Sequence, residues 1–155
     1  MIESAGILPY RRTPRGIEVY LGHMGGPYWK NRVRSWSIIK GETKPGEGLL
    51  DAAKREFEEE TGKQLTANRS DEGFHFLGDV GNGQKRLHVW AIPADFDTAI
   101  HSNRFTIEWP PHSGQKASFP EIDKAAWIPI DQAKSLIVKY QEPALERLEK
   151  NIPLV

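Results

Sequence analysis

The stretch that decides the fold is GETKPGEGLLDAAKREFEEETG, residues 41–62. Its first part holds three glycines and Pro45, a loop composition. From Leu49 the residues become good helix formers, and Gly62 stands where helices commonly end in a left-handed residue. The pattern predicts a helix over Leu49–Thr61. On it Glu56, Glu59 and Glu60 lie at i, i+3 and i+4, so three carboxylates share one face. Leu50, Ala53 and Phe57 form an apolar stripe beside them, while Asp51, Lys54 and Glu58 point away. The acidic face therefore adjoins the face that should be buried. Like charges at this spacing cost roughly a few tenths of a kcal/mol, and the helix dipole disfavours acids near the C-terminus. A divalent cation would offset both, because hard cations such as Mg²⁺ take carboxylate oxygens. The competing reading is a solvated acidic face balanced by Lys54, Arg55 and Lys63.

The rest of the chain sets bounds on that segment. Its 155 residues suggest a single domain, residues 1–155, with enough length to bury a core without staples. Hydrophobic residues make up 38% and charged residues 27%, a globular balance, and no apolar run approaches the roughly 20 residues that span a bilayer. The start shows no basic stretch followed by an apolar one, so no secretory signal is expected and the cytoplasm is the expected location. Cysteine is absent, which excludes disulfides, thiolate metal sites and Cys nucleophiles. Net charge is zero, which argues against a stable nucleic-acid complex. The zero hides an uneven split. Residues 1–40 carry seven basic and two acidic side chains, and residues 41–62 carry three basic and seven acidic.

Around the helix the elements alternate. Ser4–Arg11 and Ile17–His23 read as a β-hairpin, and Trp36–Ile39 as a third strand. Between them Gly25–Ser35 is a basic loop containing Tyr28 and Trp29. Phe74–Val80 and Leu87–Ile92 read as a strand pair joined by a turn at Gly81, Asn82 and Gly83. Residues 93–120 read mostly as loop. Ala125–Ile130 reads as a last strand. Asp131 is placed to cap a helix to about Tyr140, and Pro143 suits the first turn of a second helix to about Lys150. Mixed strands and helices make the class α/β or α+β.

The decisive segment has the form G-x5-E-x7-R-E-U-x-E-E-x-G, with U a bulky apolar residue. The seven fixed identities are Gly41, Glu47, Arg55, Glu56, Glu59, Glu60 and Gly62. At average usage such a match recurs by chance with probability ~10⁻⁸ per start position. It resembles the Nudix box and departs from it at the last position, where Lys63 replaces an apolar residue. The approach through Trp36 and Lys40, and Glu121 six positions before Trp127, are similar to further family elements. The resemblance implies a Nudix-type α/β/α sandwich with a mixed β-sheet. It implies metal-dependent hydrolysis, with Mg²⁺ or Mn²⁺, of a nucleoside diphosphate linked to another moiety X. Carried over by position, Glu56, Glu59, Glu60 and the Gly41 carbonyl are the metal ligands. Glu47 and Arg55 are the structural pair, with Arg55 orienting a carboxylate. Glu121 joins the metal site or acts as base, with Glu108 as the alternative fourth ligand.

Hydrolysis of a phosphoanhydride needs cations to neutralise the phosphates and a carboxylate to accept the water's proton. Glu59 and then Glu121 are the candidate bases. Lys40, Arg32 and Arg34 are candidates to contact phosphate, and Tyr28 and Trp29 to stack on a base. Lys85 and Arg86 either contact phosphate or decorate a hairpin tip. The leading reading is an NTP pyrophosphohydrolase of the bacterial MutT-like subgroup. The alternatives are a diadenosine polyphosphate hydrolase and a non-catalytic Nudix-fold nucleotide-binding module. The expected partner is a nucleotide pyrophosphate, with no membrane and a monomer or homodimer state.

Overall fold

The computed structural model describes residues 2–65 and 73–152. The hairpin forms as β1 (Ile2–Thr13) and β2 (Gly16–Met24), paired antiparallel with Thr13 opposite Gly16. β3 (Trp36–Ser37) pairs with β2, and β4 (Ile39–Glu42) pairs with β1. The single strand expected over Trp36–Ile39 is thus two short strands that switch neighbours at Ile38. Buried Gln141 serves that break, accepting from the Ile38 N–H at 2.9 Å and donating to Ser37 Oγ at 3.0 Å. A backbone donor left unpaired there would carry a desolvation cost.

β5 (His75–Gly81) and β6 (Lys85–Pro93) form the expected pair, and β6 runs parallel to β1. β9 (Ile122–Pro129) pairs with β2. One parallel pairing among antiparallel ones makes the sheet mixed. The period-2 alternation of its strands feeds two cores. Ala5, Ile7, Tyr20 and Ile92 face α1 (Leu49–Thr61), where they meet Ala52, Ala53 and Phe57. Leu8, Val19, Leu21, Leu87 and Val89 face the other way, against Ile130 and Ala133 of α2 (Ile130–Leu136) and Leu145 and Leu148 of α3 (Glu142–Asn151). The arrangement is an α/β/α sandwich with a mixed sheet.

One expectation is refined and one corrected. Residues 93–120 are mostly loop, as expected, but within them β7 (Arg104–Glu108) and β8 (Lys116–Pro120) form a separate antiparallel hairpin. Its alternation is short and only one face finds partners, so Gly, Pro and Ser around it masked the signal. The helix after β9 begins at Ile130 rather than behind an Asp131 cap, and stops at Leu136. The chain then extends so that Val138 N–H donates to Trp36 O at 2.9 Å, and tertiary pairing overrides local helix propensity. Pro143 does lie in the first turn of α3. Trp36 and Trp90 are half-buried, packing against His23 and Phe76 respectively. Among the described residues no helix is long and apolar enough to cross a membrane.

Candidate active site

The acidic face of α1 lies beside the buried stripe, as its spacing requires. Glu60 is only 2% exposed, whereas Glu59 stands in solvent. Arg55 organises this face. Its guanidinium donates to Glu47 Oε2 at 2.8 Å and Oε1 at 3.0 Å, to Glu56 Oε1 at 2.9 Å and to Glu59 Oε2 at 3.2 Å. A planar fork of five donors makes one Arg enough for three carboxylates. The Arg55 bonds and a backbone donor at Lys44 hold the Glu47 carboxyl down at about 2.

Gly41 lies in β4 directly under Glu56. A Cβ at Gly41 would lie 2.0 Å from Glu56 Cδ, so the carboxylate occupies the space a side chain would fill. Burial raises the Glu56 pKa, and Arg55 opposes the rise. Glu60 goes further, up to about 8: burial is the first cause, then its contact with and repulsion by Glu121, and Ser102 pulls the other way. Ser102 Oγ donates to Glu60 Oε2 at 3.0 Å and accepts from Ile122 N–H at 3.0 Å, and Asn103 Nδ2 reaches Glu60 Oε1 at 3.4 Å. Glu121 N–H in turn donates to Asn103 O at 2.8 Å. Ser102 and Asn103 therefore fasten the helix carboxylate to the junction that carries Glu121. No local signal marks this pair, because both sit in a stretch that reads as loop.

Two cavities meet at Lys40 and Glu121. One, of about 260 Å³, is lined by Met24, Trp29, Ile38, Phe105 and Ile122, with Glu60 at its inner side. The other, of about 430 Å³, is polar and is lined by Gly41, Glu56, Lys85 and Arg86 among others. Desolvation lowers the Lys40 pKa, and the surrounding carboxylates, Glu42 first, oppose it. The floor of the first cavity depends on Gly25. A Cβ at that position would strike Pro120 O at 1.9 Å, and the Gly25 N–H donates to Glu121 O at 2.9 Å.

The expected substrate-binding residues separate here. Lys40 and Trp29 line the cavities. Tyr28 is exposed and meets Trp109 edge-on at 5.4 Å, and Arg32 lies over the Trp29 ring. Arg34 is turned elsewhere: it donates to the carbonyls of Lys134 at 3.1 Å and Ile137 at 2.9 Å, and lines neither cavity. A guanidinium so engaged braces the loop to α2. Glu108 accepts from His112 N–H on the β7–β8 hairpin and lines neither cavity, whereas Glu121 lines both. Lys63, the departure from the box, packs against Phe96 and donates to Asp97 Oδ1 and Ala99 O, both at 2.7 Å. A long amphipathic side chain can cover apolar surface while its head stays paired. The end of α1 is thereby pinned by the residue that replaces the usual apolar one.

Among the described residues no three His, Cys, Asp or Glu side chains gather closely enough to enclose an ion. The donor set nevertheless suits Mg²⁺. It is all oxygen, it includes backbone at Gly41, and Mg²⁺ needs only one or two carboxylates beside water and substrate phosphates.

The NUDIX domain model matches residues 3–148, and the chain belongs to that family. An RNA pyrophosphohydrolase of Bartonella clarridgeiae is 27% identical over 165 residues, covering 92% of this chain and 90% of its own length. An Ap4A hydrolase of C. elegans, solved as a binary complex, superposes with a TM-score of 0.64 at 19% identity, covering 97% of this chain and 96% of that one. The NUDIX domain of Shewanella oneidensis NrtR, solved with ADP ribose, superposes at 0.65 with 10% identity, covering 99% and 89%. By family this protein is an enzyme, a Nudix pyrophosphohydrolase.

Proposed function

We propose that the protein hydrolyses a phosphoanhydride bond in a nucleoside diphosphate linked to another moiety, with Mg²⁺ or Mn²⁺ as cofactor. The observation that carries the reading is the set Glu56, Glu60 and Glu121 beside Gly41, where the two cavities meet. Trp29 and Phe105 offer aromatic faces for a nucleobase in the first cavity. Gly41, Glu56, Glu59, Glu60 and Glu121 are the residues that would hold the metal. Bound there, the cation would neutralise phosphate oxygens and acidify water. Arg55 keeps Glu56 and Glu59 oriented, and Lys40 offers a positive charge to the phosphates. Glu59, the most exposed of the three helix carboxylates, or Glu121 accepts the water's proton.

A nucleoside triphosphate is the leading substrate. The relatives named RNA pyrophosphohydrolase, matched over nine-tenths of this chain, favour a second reading, a polyphosphate at an RNA 5′ end. A panel of both, with diadenosine polyphosphates and ADP-ribose, assayed with and without Mg²⁺ in ¹⁸O-labelled water, identifies the substrate and the attacked phosphorus. Metal-dependent turnover is expected. Tight nucleotide binding without any turnover would instead make this a binding module.

A further inference from the structure

Lys63 stands just past the end of α1, where the box carries an apolar residue. Its two hydrogen bonds, to Asp97 Oδ1 and Ala99 O, reach across to the segment that follows β6. Asp97 Oδ1 also accepts from Ala99 N–H at 3.0 Å, so the ammonium closes a turn that the carboxylate has begun. Phe96 and Ile100, on either side of this turn, pack against the core that holds Phe57. Trp127 Nε1 donates to Phe96 O at 2.8 Å, and the Phe96 ring meets Tyr20 edge-on at 4.7 Å. The Tyr20 hydroxyl is buried with no hydrogen-bond partner among the described residues, so it adds no polar tie. The chain then passes the helix end closely, because a Cβ at Gly62 would lie 3.3 Å from His101 Cβ. Ser102 and Asn103 come next. Their side chains meet Glu60, and their oxygens accept from the Ile122 and Glu121 amides. Residues 96–103 thus form a strap, anchored on Lys63 at one end and on the Glu60 carboxylate at the other. Asp97 is 77% exposed, so the ion pair itself contributes little stability. What Lys63 supplies is geometry: one ammonium fixes the turn just before Ser102.

We propose that Lys63 is a positioning residue for Glu60, setting through the 96–103 strap the register in which Ser102 and Asn103 hold that carboxylate. The inference rests on the reading above, in which Glu60 is a metal ligand. Lys63 lines neither cavity, so it acts through the strap alone. It does so from the one position where this chain departs from the box.

The test uses the whole protein as wild type, Lys63→Met and Lys63→Arg. Methionine keeps an unbranched stem and removes the ammonium. Lys63→Leu serves as a second variant, since the box ordinarily carries an apolar residue there. Amide exchange in metal-free buffer, followed by nuclear magnetic resonance, reports on the clasp directly. The Glu121 and Ile122 amides should exchange about tenfold faster in Lys63→Met and Lys63→Leu. The Gly62 amide, bonded to Glu58 O at 2.7 Å, should keep its wild-type rate. Mn²⁺ binding, read by electron paramagnetic resonance, should weaken about tenfold, and Lys63→Arg should restore much of it, because outer partners orient the groups that ligate. Unchanged exchange at Glu121 and Ile122, or Mn²⁺ affinity within twofold of wild type in Lys63→Met, would overturn the proposal. Equally faster exchange at Gly62 would overturn it too, since Lys63 would then only end the helix. A wild type that binds no Mn²⁺, with the exchange difference intact, would sink the metal reading and uphold Lys63 as the anchor of the strap.

Discussion

Glu60 shows how a single side chain can be poised for a ligand. It is almost wholly buried, its oxygens are met by Ser102 and Asn103, and it faces Glu121. Glu60→Gln keeps the shape and removes the charge, so kcat with Mg²⁺ should fall by on the order of 10² or more while the circular dichroism spectrum is retained. Near-wild-type turnover would defeat the assignment. Ser102 holds Glu60 from behind and lines neither cavity. Ser102→Ala should weaken Mn²⁺ binding, read by electron paramagnetic resonance, by about 10–100-fold, and Ser102→Thr should restore much of it. Glu47 tests the structural pair. Its folded pKa, about 2, lies below the unfolded value near about 4.3, so the unfolded chain takes up the proton first. Its stabilisation is complete above the unfolded value and disappears as pH falls toward about 2. Glu47→Gln should therefore lower Tm at pH 7, and the gap from wild type should close on acidification. A gap independent of pH would refute the ion pair as the cause.

At the scale of elements, the site is the meeting of three pieces distant in sequence. α1 brings the box carboxylates, β4 brings Lys40 and Gly41, and the β8–β9 junction brings Glu121. The last is held by the close approach of Gly25, where the chain leaves β2. Gly25→Ala drives a methyl group into the Pro120 carbonyl, and either the loop or the junction must shift. An error near 1 Å at a reacting centre can cost about 10²-fold, so kcat/KM should drop on that order. Activity within twofold of wild type, with an unaltered fold, would show that this junction does not position Glu121.

The whole molecule is a sheet with a separate core on each face. Phe57 anchors the α1 side, where it is fully buried and packs near Tyr20 and Phe96. Phe57→Ala should cost about 3–5 kcal/mol in denaturant unfolding, because the site collapses only partly around the lost ring. A loss below about 1 kcal/mol would mean that α1 is held mainly by its charged face. The uneven charge of the chain also resolves at this scale. Of the basic residues before the box, Lys40 joins the carboxylates, Arg34 braces α2 and Arg11 pairs with Glu18 and Asp95. Lys85 and Arg86, from much later in the chain, supply cations to the polar cavity.

Local chemistry explains what was legible beforehand. The box helix, its C-terminal glycine, the β1–β2 hairpin and the β5–β6 pair depend on periodicity and turn residues, which the sequence carries directly. The seven identities of residues 41–62 pointed to the family, and helical spacing put Glu56, Glu59 and Glu60 on one face. Other features depend on which distant segments meet. The switch of strands at Ile38 needs Gln141, the early end of α2 needs Trp36, and the clasp on Glu60 needs Ser102 from a stretch with no local signal. Which of the candidate residues share a cavity is likewise a tertiary outcome: Lys40 and Glu121 line both, and Arg34 and Glu108 line neither. Spacing along one helix can specify which carboxylates face one way. Only the packing of the sheet, α1 and the β7–β8 hairpin decides what faces them.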